Sequence, residues 1–203
     1  MRRDAARKRE QVVTAAGDEL AELTQAARDG EAVRLSLDKI AARAGVGIAT
    51  LYRHFPTREA LLEAVYRQEL ARVCDAAPAL AEAGPPDAAL LTWMQHYLDF
   101  VDSKRVMGDD LRALVASGTI TQTDTRARLA DAAQYLLAAG VTAGTFRDDV
   151  TPDDLVAGMA GAAIAAAPDR QREQSQRLIT LLVDGLRVHR AAGQDVVDPA
   201  RPT

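Results

Sequence analysis

Aromatic residues make up only 4% of this chain, and cysteine occurs once, as Cys74. A single thiol excludes an internal disulfide framework and a zinc site built on paired cysteines. The three histidines, His54, His96 and His189, stand far apart in the sequence. There is no HExxH pair, no phosphate-cradling glycine loop and no GxSxG elbow. No motif therefore supplies a catalytic role or a metal site, and neither an enzyme nor a cofactor is expected. The paired acids Asp109-Asp110, Asp148-Asp149 and Asp153-Asp154 fall at predicted loops and helix starts, where carboxylates cap. Long apolar runs are also missing, and nothing approaches the ~20 residues that cross a bilayer. The N-terminal MRRDAARKRE is basic, but no apolar stretch follows it as it would in a secretory signal. These absences predict a cytoplasmic protein with no membrane partner.

What the chain has in quantity is alanine and leucine. It is 48% hydrophobic over 203 residues, enough to bury a real core, and alternating Val/Ile/Thr runs are scarce. The composition predicts an all-α protein. The net charge of -4 argues against generic nucleic-acid binding, but it is unevenly distributed. Residues 1–9 carry five basic side chains against Asp4 alone, residues 1–70 are close to neutral, and the acidic excess lies beyond them. This asymmetry suggests a division of labour, with a solvated, disordered terminus as the plain alternative.

Apolar spacing at Val12, Val13, Ala16, Leu20 and Leu23 predicts a first helix over about residues 5–23, extendable to Arg28 before a break at Asp29-Gly30. Ser36 opens a second helix as its cap, with Leu37, Ile40, Ala41 and Ala44 inward and Gly45 as its left-handed stop. Ile48 to His54 makes about two turns, anchored by Leu51 and Phe55. Pro56 then ends it, and Thr57 caps a long fourth helix. Two helices joined by a tight glycine-containing turn, after a third, form a helix-turn-helix. On this reading the Ile48–His54 helix is short because it sits in a groove.

Pro78 and Gly84-Pro85-Pro86 mark the next break. Further helices are expected around Leu90, Met94, Tyr97, Leu98 and Val101, then a shorter one at Leu111–Val115, then one through Leu129, Ala133, Leu136 and Leu137. GVTAGTFRDDVTPDD is expected as a loop, with Pro152 at a helix start. The domains are placed at residues 1–56, 57–191 and a flexible tail over 192–203, with the fourth helix belonging to both main parts. LVAGMAGAAIAAA beside RLITLLVDGLRV suits close helix contact, either inside the protomer or across a two-fold axis. Ala162, Ala166, Leu178, Leu182 and Leu186 are the candidate dimer positions.

The stretch LSLDKIAARAGVGIATLYRHFPTREALLEAV resembles the DNA-binding domain of the TetR family of bacterial transcriptional repressors. The matching residues are Ile40-Ala41, Ala44-Gly45-Val46, Thr50-Leu51-Tyr52, His54-Phe55, Arg58 and Leu61-Leu62, over about thirty positions. The second half resembles the family in the order and length of its helices, with PDRQREQSQRLITLLVDGLR standing where actinobacterial-style members read DPERxxRLLxLLLDGLR. One departure stands out. The link from Leu23 to Ser36 is longer than the family's usual turn and lacks its common Phe and Gly, so it either lengthens the first helix or bulges near DNA.

The resemblance implies a double-stranded DNA operator as partner. Tyr52, His54 and Arg58 are assigned to phosphates, and Thr50 to a phosphate or a thymine methyl. Gly47, Ile48 and Ala49 lead the recognition helix and offer only apolar contact, so direct readout leans on thymine methyls and Arg53. Lys39 or Arg43 of the second helix adds to it, and the basic arm of residues 2–9 reaches a neighbouring groove. Outside this motif, Tyr52 would simply pack and His54 would be an ordinary surface histidine.

The resemblance also implies a second half that forms a homodimer and binds a small-molecule effector, whose arrival releases the operator. Trp93, Met94, Tyr97, Phe100, Leu114, Tyr135 and Met159 are the candidate lining residues, although ordinary core is the better reading of any single one. Few charges fall on the inner stripes, which favours an apolar or aromatic effector, with His96 and Tyr97 for polar contact. A ligand sensor or protein-binding module of the same fold is the alternative. Activation instead of repression depends on operator position.

Overall fold

The computed structural model describes residues 2–165 and 171–188. Within these the chain forms α1 (Arg2–Arg28), α2 (Leu37–Arg43), α3 (Ile48–His54), α4 (Arg58–Ala83), α5 (Pro86–Ala116), α6 (Gln122–Thr142), α7 (Pro152–Ala165) and α8 (Gln171–Leu186). One isolated antiparallel bridge, Phe146 to Arg187, ties the loop after α6 to the end of α8. The all-α expectation holds among the described residues. Ala166 and the tail over 192–203 lie outside them.

Short polar side chains set the helix starts. The Ser36 hydroxyl accepts from the Lys39 N–H at 3.4 Å and the Thr57 hydroxyl from the Ala60 N–H at 3.1 Å. Thr151 and Asp154 cap α7 reciprocally: each backbone N–H donates to the other's side chain, at 3.0 and 3.2 Å. Gly45, at φ +64°, ends α2 in the left-handed region, and the Val46 N–H folds back to the Ala41 carbonyl at 3.0 Å.

Apolar burial then assembles the pieces. Val12, Ala16 and Leu20 of α1 close over Ile40, Leu51 and Phe55 to make the head. The same apolar core continues without interruption through Leu61, Leu62 and Val65 of α4 into the body around Trp93, Met94 and Leu136. The α4 helix packs on α1, α5 and α6, so it belongs to both parts, as its position after residue 56 suggests.

Four expectations are corrected. The basic segment is the opening of α1 and not an extended arm, while the run of α1 on to Arg28 is the expected extension, so the long link lengthens the helix. Pro78 sits inside α4: it removes one hydrogen bond, but Ala77 beside it is fully buried and Leu80 and Ala81 pack on the core. The expected short helix at Leu111–Val115 is the far arm of α5, bent at Gly108 (φ 49°, ψ -120°). Finally, α6 reaches Thr142, because Gly140 inside it lets the Phe146 ring lie directly on the helix backbone.

Candidate nucleic-acid interface and ligand cavity

The seven residues of α3 span about 10 Å at the usual rise, shorter than the ~12 Å width of a DNA major groove. Leu51 and the following Phe55 are each 1% exposed and hold the helix to the head. The opposite side is open: Gly47, Ile48, Ala49, Tyr52 and Arg53 are exposed, while Thr50 and His54 are half-buried beside them. No acidic residue lies on α3. Gly47 caps α3 in ordinary extended backbone, and a methyl group placed there would meet nothing.

The basic residues flanking α3 are not equally available. Arg43 is bound to α1, 2.6 Å from Glu22 and 3.4 Å from the buried Glu19. That hydrogen bond holds the Glu22 carboxyl below, and the Arg43 guanidinium above, its ordinary range. Lys39 stays largely exposed, 3.9 Å from Glu19. Arg58 departs furthest from its sequence-based assignment. Its Nε donates to Asp110 of α5 at 3.0 Å and its Nη1 to the Leu35 carbonyl at 3.2 Å. It is a strut between head and body, with its charge already paired. Arg9 is also held, its guanidinium 4.8 Å above the Phe55 ring.

Among the described residues, two hollows open in the body. One, of about 490 Å³, lies between α1, α4 and α5 and is lined by Arg28, Glu69, Arg72, His96 and Asp99. Charges of both signs meet there. Arg28, on the added turns of α1, donates to Asp99 and Asp102 at 2.8 Å, and Arg172 of α8 reaches the same two carboxylates. The other, of about 330 Å³, is walled by α4, α5, α6 and α7. Leu111, Ile120, Leu129 and Val156 lie on its apolar side, and Tyr66, Tyr97, Lys104, Gln122 and Thr125 on its polar side.

The family description "Bacterial regulatory proteins, tetR family" matches residues 33–65, and "Transcriptional regulator SbtR-like, C-terminal domain" matches residues 85–188. The structure is similar to that of a TetR transcriptional regulator from Streptomyces coelicolor, with 41% identity, 88% of this chain and 98% of that chain covered, and a TM-score of 0.73. A TetR regulator from Mycobacterium vanbaalenii aligns at 33% identity, covering 92% and 99%, with a TM-score of 0.65. The chain belongs to the TetR family of transcriptional regulators. A third structure, a TetR-family regulator from Pectobacterium atrosepticum, shares the fold at 22% identity and a TM-score of 0.63, covering 93% and 98%. Comparison with curated proteins gives no match. The protein is thus a DNA-binding transcriptional regulator, and α2–α3 is the TetR helix-turn-helix.

Against this TetR frame, the body positions expected from sequence separate. Trp93, Met94 and Met159 are fully buried, and the Trp93 indole donates to the Val73 carbonyl at 2.9 Å, fastening α5 to α4. Of the seven lining candidates, only Tyr97 borders the α4–α7 cavity. Phe100 borders the charged hollow, while Leu114 is buried without bordering either one. Tyr135 is 58% exposed on α6, outside both. His96 and Tyr97, adjacent on a helix, point about 100° apart and face different hollows. Lys104 went unrecognised, although it falls seven residues after Tyr97, on the inner stripe of α5. Two of the dimer positions are also corrected. Ala162 and Leu186 are buried within the protomer, because α8 turns Ser175, Ile179, Val183 and Leu186 inward. Leu178 and Leu182 are partly buried, and Leu182 lies over Gly158. The apolar side chains left open on α7 and α8 are Ile164 and Leu181, 79% and 65% exposed.

Proposed function

We propose that this regulator is a homodimeric repressor that reads a roughly palindromic operator with α3 and leaves it when a small molecule fills the α4–α7 cavity. One observation carries the reading. The cavity wall includes Tyr66 of α4, the helix that begins at Arg58, four residues after the reading helix ends. Eight residues of helix are about 12 Å, so a ligand pressing on Tyr66 acts on a rigid rod whose other end carries the head. A ligand that favours one α4 position over another shifts the spacing of two heads, and operator affinity falls by that differential. Exposed Ile164 and Leu181 support a second copy as the neighbour of α7 and α8.

In this reading Tyr52, His54 and Thr50 contact phosphates, Arg53 and Lys39 stand nearest base edges, and Gly47, Ile48 and Ala49 approach thymine methyls. The cavity binds and releases its ligand unchanged, so the protein is a sensor and not an enzyme. The test is binding to DNA from upstream of its own coding region, beside a scrambled duplex, titrated over salt. Specific binding that weakens steeply with salt, and is lost at least tenfold in a Tyr52→Ala, His54→Ala double variant, supports it. Unchanged affinity in that variant overturns the interface.

A further inference from the structure

We propose that the effector of the α4–α7 cavity is an amphipathic monocarboxylate whose anionic head is bound by Lys104 and Tyr97. The inference rests on that cavity being the effector site. Among the described residues no aspartate or glutamate lines the cavity, although the protein as a whole is acidic. Its two cationic lining residues differ. Arg126, at the rim, is paired with Asp153 at 3.0 Å. Lys104 pairs with no carboxylate among the described residues. Its ammonium instead sits 4.9 Å from the centre of the Phe100 ring. Burial, together with the neighbouring cation of Arg105, holds that ammonium below the ordinary lysine range. A half-buried cation without a counter-ion, facing a hollow, favours an anion that restores its partner.

The second polar group is the Tyr97 hydroxyl. It takes part in no hydrogen bond among the described residues, whereas the neighbouring Tyr66 hydroxyl is satisfied by Thr125 at 2.9 Å. Lys104 and Tyr97 lie two helical turns apart on one stripe of α5, so an ammonium and a phenol donor flank the same side of the cavity. The remaining wall is aliphatic, from Leu111, Ile120, Leu129 and Val156, and wants a hydrocarbon tail. A volume of about 330 Å³ is at the small end of ligand sites, which suits a short chain with one head group.

The test is calorimetric titration of the full chain, without DNA, with octanoate and octanol as matched probes. We expect octanoate to bind at least tenfold more tightly than octanol. In Lys104→Met the ratio should fall to near one, and in Ala160→Phe, which fills the cavity, both probes should lose affinity. Equal binding by the wild type, a preference that survives Lys104→Met, or no binding of either probe overturns the acid class. Operator affinity measured with each probe separates this from the wider reading. If octanoate binds through Lys104 and leaves DNA affinity unchanged, ligand release of the operator fails while the acid class stands. If octanol displaces DNA and octanoate does not, the class fails while the effector cavity stands.

Discussion

At the scale of single residues, the protein turns on a few positions where a neighbour leaves no room or no partner. Gly140 is one: a methyl group there would run into the Phe146 ring, and Phe146 is fully packed. Gly140→Ala is expected to cost ~1–3 kcal/mol, as overpacking does, and to lower Tm by about 2–4 °C per kcal/mol in a thermal scan. Gly47→Ala, where the added carbon meets nothing, should leave Tm unchanged. Glu69 is the converse case. Its Oε1 is buried with no hydrogen bond, and burial raises its carboxyl above the ordinary range despite Arg72, 3.3 Å away. An acid whose folded pKa is raised contributes most below its unfolded value and loses that contribution as pH rises through the folded one. Glu69→Gln should therefore stabilise the protein by about 1 kcal/mol at pH 7, the low end for a buried polar atom that lacks a hydrogen bond, with the gain vanishing toward pH 4. A pH series of denaturant titrations checks it.

Among the elements, α1 and α4 decide how head and body are joined. The extra turns of α1 carry Arg28 to Asp99 and Asp102 of α5, where Arg172 of α8 also arrives. At the other side of the head, Arg58 opens α4 and is tied to Asp110, beyond the Gly108 bend of α5. Both ties are partly exposed, so salt screens them. Arg28→Ala is expected to lower stability by no more than about 1 kcal/mol at low salt, and the difference should shrink in 1 M NaCl. A loss that persists in high salt would mean the side chain acts through packing instead of charge. Because Arg58 is committed to α5, Arg58→Ala should weaken DNA binding less than Tyr52→Ala does, as read by duplex titration.

For the whole molecule, the question is what closes the open apolar side chains. Ile164, at the mouth of the α4–α7 cavity, and Leu181 on α8 stay largely exposed among the described residues. If a second copy covers them, Leu181→Glu buries a charge against an apolar partner and should convert a dimer into a monomer by light scattering, at a cost of several kcal/mol. A dimer that survives places the two-fold contact elsewhere. The same assembly sets the DNA response: two heads double the neutralised phosphates, so loss of the dimer should reduce the slope of binding against salt.

The sequence by itself determined the local structure. Ser36, Gly45, Leu51, Phe55 and Thr57 specify caps, a stop and anchors through interactions within a few residues, so the helix-turn-helix was legible in one dimension. Its open face at Gly47, Ile48, Ala49, Tyr52 and Arg53 was what the resemblance to the TetR head implied. Where the outcome depended on which distant element arrived, the pattern was silent. Pro78 reads as a break until Ala77 is buried against the body. Arg43 and Arg58 read as DNA contacts until Glu22 and Asp110, 21 and 52 residues away, take their charges. Trp93 and Met159 read as pocket lining until packing closes over them, and Lys104 has no meaning until four helices leave a hollow beside it. Short-range hydrogen bonds and helical spacing are written in neighbouring residues. Charge pairing and cavities belong to contacts that only the packed chain creates.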